Sequence, residues 1–393
     1  MPEIAEIARI VHYLRLHLVG KTIKTATAVE DTNVFGKVGT TGADVAAALT
    51  GKKVLSAGTQ GKYFWLVLDR PPHPVMHFGM TGWIHIKGDR TAYTNYYKKM
   101  KPEERDAWPP KYWKFQLKTE DPAVEVAFTD PRRFGRVRLV DCPGEDIRKY
   151  SPLVENGPDP VVDTGIFTEE FLRGKMRSRH VPIKALLLDQ SVISGVGNWV
   201  GDEVLYQARL HPEQYCDDFS DDQIKTLYES IRHVCQFAVD KLGDSDQFPK
   251  DWLFHYRWSK GQKGTVGHLP SGEKLAFLTV GGRTSCYAPD LQKKSGRVVP
   301  GVKEELIESD PEEPKPKVVS RSKAVKSEEG QPQTKKRRNA DEDEKPAKKS
   351  RTVPEKPSKA RVEKSAKAAE KITVDAETDS GRRRSGRLRG KAA

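Results

Sequence analysis

Near Tyr150 the apolar residues of this chain change their spacing from alternation to steps of three and four, and this break constrains the fold more than any other feature. Before it, short apolar runs at 22–29, 54–57, 63–68, 74–78, 83–87, 112–117, 124–128 and 136–140 are separated by Gly, Pro and Asp. Successive side chains on a strand point to opposite faces, so eight such runs predict a β-sandwich. After it, 167–177, 181–190, 198–210 and 222–242 carry helical periodicity. Strands followed by helices make an α+β chain and not an alternating α/β one. Beyond Gly243, 252–287 returns to strand-like pieces with turns at 261–264 and Ser271-Gly272, a hairpin pattern.

A helix precedes the strands. Ile4, Ile7, Val11, Leu14 and Leu18 form one apolar stripe that ends at Gly20 and would dock the N-terminus on a core. The chain begins Met1-Pro2-Glu3, and Pro is common at a helix start, with acids favoured in the first turn. The same residues have a chemical reading. With Met1 removed, Pro2 carries a secondary amine of pKa about 8, partly unprotonated at neutral pH where a lysine at about 10.4 is not. Its condensation product with an aldehyde-level carbon is an iminium that stays charged and acts as an electron sink. Glu3 beside it, with Glu6 one turn further on, can move protons at that carbon.

Composition divides the chain again at Leu291. Of a formal charge of +13, about +11 lies in residues 291–393, which hold 29 Lys and Arg against 18 Asp and Glu and are poor in aromatics. That composition predicts a disordered basic tail, and a nucleic-acid partner inferred from charge belongs first to the tail. The clusters Lys335-Lys336-Arg337-Arg338 and Lys348-Lys349-Ser350-Arg351 resemble nuclear import signals. No apolar run reaches the roughly twenty residues of a membrane span. Cys142, Cys216, Cys235 and Cys286 have no metal-ligand or disulfide spacing, so reduced thiols and no metal are expected. The expected segments are 1–148 (helix and sandwich), 149–250 (helical), 251–291 (hairpin) and 292–393 (tail).

Three motifs remain. Gly195-Val196-Gly197-Asn198 opens a helix, where backbone N–H groups favour an anion such as phosphate, although a tight interhelical turn has the same sequence. Arg132-Arg133-Phe134-Gly135 follows the turn Asp130-Pro131 and sets an aromatic beside cations, as a wedge between base steps requires or as a hairpin with a core Phe would. Met80, within His77-Phe78-Gly79-Met80-Thr81-Gly82, fits either wedge or core filler.

In order along residues 2 to 291, Pro2-Glu3 with Glu6, Gly61-Lys62-Tyr63, His77 to Met80, Asp130 to Gly135 and Gly195 to Asn198 make the chain resemble a eukaryotic member of the formamidopyrimidine-DNA glycosylase and endonuclease VIII family, the fungal and plant type most. The resemblance implies a helix-two-turn-helix domain and a bifunctional DNA glycosylase and AP lyase of base excision repair, with Pro2 as nucleophile on C1′ of the damaged nucleotide and Glu3 as acid/base. It implies that Lys62 and, more weakly, His77 reach phosphates near the lesion. Asn198 would hold phosphates from the helix-two-turn-helix motif, with Lys184 in support. Met80, Arg132 and Phe134 would fill the gap left by the extruded nucleotide, Arg132 or its neighbour Arg133 facing the orphaned base. Where many bacterial relatives carry four zinc cysteines, this chain has only Cys286. Gly281-Gly282-Arg283-Thr284 resembles the zincless finger of eukaryotic members, with Arg283 as its phosphate contact. Ala5 replaces the proline of many relatives without disturbing the helix. The implied protein is a nuclear monomer without cofactor, acting on damaged double-stranded DNA, with the tail adding nonspecific DNA or chromatin contacts. Residues 247–264 show no lesion-specific motif and leave 8-oxoguanine open. A non-catalytic DNA-binding protein is the rival reading, and an RNA-processing role a third.

Overall fold

The computed structural model describes residues 2–92, 107–258 and 267–295, with the backbone of Glu305–Leu306. Helix α1 (Ile4–Leu18) presses Ile7, Ile10, Val11, Leu14 and Leu18 into the sandwich core. Its first residues, Ile4 and Ala5, lie in the core of the helical domain instead. One helix therefore enters both cores, and its N-terminus is held at the seam between them.

The eight expected strands form: β1 (Ile23–Ala28), β2 (Val54–Gln60), β3 (Tyr63–Leu68), β4 (His73–His77), β5 (Trp83–Ile86), β6 (Trp113–Thr119), β7 (Glu125–Thr129) and β8 (Arg136–Val140). They make two antiparallel four-stranded sheets, in the orders β1-β6-β7-β5 and β2-β3-β4-β8. Phe64, Phe78, Phe115 and Phe128 meet between them with ring centroids 4.6–5.8 Å apart. Helix α2 (Gly42–Leu49) was not among the expected elements. A capping box of Thr41 and Asp44 starts it, and its buried Val45 and Leu49 join the sandwich core.

The helical domain holds α3 (Glu169–Arg177), α4 (Ile183–Leu188), α5 (Asn198–Gln207) and α6 (Asp221–Asp240). Starts differ from the sequence-based bounds by up to two residues because caps decide them: Thr168 and Ser220 accept amides of Phe171 and Gln223. The expected strand-like region 252–287 is shorter than anticipated. Leu253–His255 is a 3-10 turn, and Trp252 packs with Phe248 in the helical core. Among the described residues β9 (Ala276–Val280) and β10 (Arg283–Tyr287) form the hairpin, joined by Gly281-Gly282 at φ +57° and +71°, the left-handed pair that a two-residue turn needs. A short β11 (Glu305–Leu306) pairs with the other edge of β9. The turn at 261–264, the basic clusters and the tail beyond 306 lie outside the described residues. Among the described residues no helix is long and apolar enough to cross a membrane.

Candidate active site

The start of α5, where the sequence invites a phosphate, is already occupied by an anion from the chain itself. Glu3 is 2 % exposed, and its Oε1 and Oε2 accept the backbone N–H groups of Trp199 (3.0 Å) and Val200 (3.1 Å). The helix dipole and two otherwise unpaired amides thus hold the carboxylate of the residue after Pro2. Gly197 makes this approach feasible, since a Cβ there would stand 2.1 Å from Glu3 Cδ. The expectation of a phosphate at this turn is therefore corrected: its amide donors bind Glu3. Pro2, partly exposed, lines a cavity of about 380 Å³ with Met80, Trp83, Tyr112 and Pro131.

Glu6 accepts the N–H of Glu3 at 2.9 Å. Burial first, and then the neighbouring Glu3 carboxylate, push its pKa up to about 7, so it exchanges protons near neutral pH beside the terminus. Lys62 follows the tight turn at Gly61, whose N–H is bound by the buried Asp159 (2.7 Å). A Cβ at Gly61 would meet Ser194 at 2.5 Å, so the β2–β3 turn and the α5 turn are in direct backbone contact. Lys62 is only 8 % exposed and donates to Val196 O at 2.9 Å. Burial lowers its pKa while Glu3 opposes the shift. Instead of a lysine projecting from a loop, it is a cation enclosed beside Glu3.

His77 Nδ1 accepts the Gly79 N–H (3.0 Å), which leaves the ring proton on Nε2. Burial, with Lys62 and Arg136 nearby, lowers its pKa to about 4, so it offers a phosphate a neutral donor and no charge. Asn198 donates from Nδ2 to Thr284 O (2.9 Å) on the hairpin strand that begins with the exposed Arg283. Asn198 is the first residue of α5 and Gly197 its N-cap. Lys184 departs from expectation. It is fully buried, donates to Asn198 O at 2.7 Å and pairs with Asp202, so it has no surface for a phosphate and supports Asn198 from behind.

The two segments expected to form a wedge are tied together by the buried carboxylate of Asp130. Asp130 accepts from Thr81 Oγ1 (2.7 Å), Arg132 N (3.2 Å) and Gly135 N (2.6 Å). A Cβ at Gly79 would lie 2.4 Å from Phe134 carbonyl atoms, so the Met80 and Phe134 segments are in contact. Phe134 is 46 % exposed, with the Arg132 guanidinium 4.9 Å from its ring centre. Arg133 turns away at φ +58° and binds Asp31 through Nε at 3.0 and 2.9 Å, beside the Lys114–Asp31 pair. Of the two arginines, Arg133 is engaged by Asp31, and Arg132 shares the wedge surface with Phe134. Nothing in the spacing marked Asp31, Asp159 or Asp202, because acids that orient a cationic site are recognisable only once their partners are in place.

A carboxylate on a helix start, a buried lysine and an exposed Arg132-Phe134 loop thus lie at the seam of a β-sandwich and a helical domain, beside the N-terminal segment of the chain. Residues 1–137 match the formamidopyrimidine-DNA glycosylase N-terminal domain and 157–249 the H2TH domain of the same proteins. The chain is 41 % identical over 297 residues to the formamidopyrimidine-DNA glycosylase of Arabidopsis thaliana, covering 76 % of this chain and 72 % of that one. The Lactococcus lactis formamidopyrimidine-DNA glycosylase, solved non-covalently bound to AP-site DNA, superposes with a TM-score of 0.59 at 25 % identity over 74 % of this chain and all of that one. A variant of it with Fapy-dG-containing DNA gives 0.59 and 25 % over 75 % and 100 %. The chain belongs to the formamidopyrimidine-DNA glycosylase family.

Proposed function

We propose that this chain is a bifunctional DNA glycosylase and AP lyase of base excision repair that acts through the Pro2 amine once Met1 is removed. The observation that carries the reading is the Glu3 carboxylate, fixed by two α5 amides in the residue next to Pro2. In the reaction the Pro2 nitrogen bonds to C1′ of the damaged nucleotide as the N-glycosidic bond breaks and the base leaves with its electron pair. The Pro2 nitrogen gives up its own proton to the Glu3 carboxylate, and Glu3 passes that proton to the ring oxygen as the C1′–O4′ bond breaks, which opens the sugar and leaves an iminium. The iminium acidifies C2′; loss of that proton expels the 3′ phosphate, and a second elimination expels the 5′ phosphate. Lys62 and Glu6 set the charge around Glu3. Met80, Arg132 and Phe134 fill the stack, and Asn198 and Arg283 hold phosphates.

Extruding a base costs on the order of a few kcal/mol, less for a damaged or weakly paired one, so lesions that loosen stacking are favoured. The relative solved with Fapy-dG DNA supports ring-opened purines as the substrate class. Borohydride should trap the protein covalently on DNA carrying an abasic site. Wild-type protein with a verified free Pro2 that fails to trap would sink the assignment. The basic clusters at 335–338 and 348–351 support nuclear import; a fluorescent fusion with both clusters neutralised should lose nuclear accumulation, and unchanged accumulation would refute the role.

A further inference from the structure

We propose that Asp202 is a positioning residue that clasps the hairpin to α5 and thereby sets the pair that reaches phosphate, Asn198 and Arg283. The inference rests on the phosphate roles given above for those two residues. Asp202 lies one helical turn after Asn198 and is 1 % exposed. Its Oδ1 pairs with the Lys184 ammonium from α4. Its Oδ2 accepts three donors: Arg257 Nη2 (2.6 Å), Arg257 Nε (3.2 Å) and the backbone N–H of Cys286 in β10 (3.2 Å). One carboxylate thus binds the helix before α5, the segment between α6 and the hairpin, and the hairpin itself.

The geometry is matched along both elements. Four residues of helix advance about 6 Å, and two residues of strand about 6.7 Å. Asn198 and Asp202 therefore fall opposite Thr284 and Cys286: Thr284 O accepts from Asn198 Nδ2, and the Cys286 N–H donates to Asp202 Oδ2. Residues 284 and 286 share one face of the strand, so Arg283 is turned to the other, where it is exposed. Lys184 closes the network by donating to Asn198 O as well as to Asp202. The apolar cluster under the hairpin is small, with Tyr206, Leu253, Leu269, Leu275, Phe277, Cys286 and Ala288 at its centre. Apolar contact of that kind has no direction along a strand. The Asp202 bond to the Cys286 N–H, together with the Asn198 bond to Thr284 O, fixes the register of β10 along α5 and with it the place of Arg283. A buried ion cluster is weak as a source of stability and better suited to specifying one arrangement.

The test measures affinity of the full chain for duplex DNA bearing a tetrahydrofuran abasic-site analogue across a range of salt, for wild type, D202N, R283A and the double variant. D202N is expected to weaken binding about tenfold and to lower the salt slope by about one phosphate contact, as R283A does. The double variant should be no worse than D202N, because both remove the same contact. D202N raises the net charge, so a simple charge effect would tighten binding, and simple destabilisation would leave the slope of the folded fraction unchanged. If D202N does not fold, K184M/D202L removes the pair together and is read by the same criteria. A folded variant of either kind that binds with wild-type affinity and slope overturns the proposal. Trapping of wild type on abasic DNA is scored separately, so loss of the catalytic reading is distinguishable from loss of this one.

Discussion

At the residue scale, the site depends on where two carboxylates sit. Glu3 takes its place on α5 because Gly197 has no Cβ, so Gly197→Ala should displace the carboxylate. Single-turnover excision should then fall by about 10²-fold or more, the scale of a lost acid/base, with the circular-dichroism spectrum retained; normal excision would show that the cap is dispensable. Glu6 supplies a pH test. Its folded pKa of about 7 exceeds the ordinary 4.5, so the folded state holds a proton that the unfolded state has released. Stability must therefore fall as pH rises from about 4.5 to about 7, by about 3 kcal/mol in all. Glu6→Gln should melt with wild type at pH near 5 and above it near 8. Equal melting at both would mean that Glu6 ionises without penalty.

At the element scale, the wedge is two loops joined by Asp130. Arg132 and Arg133 are neighbours with separate tasks, since Arg133 binds Asp31 while Arg132 lies against Phe134. Arg132→Ala should flatten excision differences among opposite bases. Arg133→Ala should leave the ranking unchanged and shift the melting temperature little, since Lys114 still pairs with Asp31 and the Arg133 side chain is 45 % exposed. The reverse pattern in a panel of paired lesions would exchange the roles. Much at this scale was legible beforehand: β3 and β8 match their expected bounds, and α1 its stripe. Helix α2 was missed because its apolar face is short and Ala-rich, although Thr41 and Asp44 carried a cap signal. Lys62 was expected to reach phosphate and Lys184 to support Asn198, and a lysine in sequence gives no sign of burial; Val196 O, Asn198 O and Asp202 become their partners only when distant segments meet.

At the scale of the whole molecule, charge and chemistry are separated along the chain. Residues 315–393 hold 25 Lys and Arg against 12 Asp and Glu, so this segment accounts for the entire formal +13. The site residues all lie in the first compact unit, 1–314. Truncation after 314 keeps the β11 pairing and should lower affinity and salt dependence on undamaged duplex. Single-turnover excision from bound abasic or lesion DNA should change by less than about twofold, within the range of surface changes remote from a site. Abolished chemistry on saturating substrate would give the tail a role beyond electrostatic attraction.

Sequence alone determined the order of layers, the amphipathic helix behind Pro2, the glycine-rich opening of α5 and the segregation of basic charge into the tail. These are properties of spacing and composition, which short-range backbone geometry converts directly into elements. Tertiary structure decided which anion fills the start of α5, which arginine remains at the wedge, and whether a lysine meets solvent or a buried carboxylate. The reason is physical: desolvation and hydrogen-bond pairing are set by groups far apart in the chain, Glu3 with Trp199, Lys62 with Val196, Asp202 with Cys286. Pro2-Glu3 could be singled out from the sequence as a candidate reactive start; the helix that holds Glu3 in place became visible only in the fold.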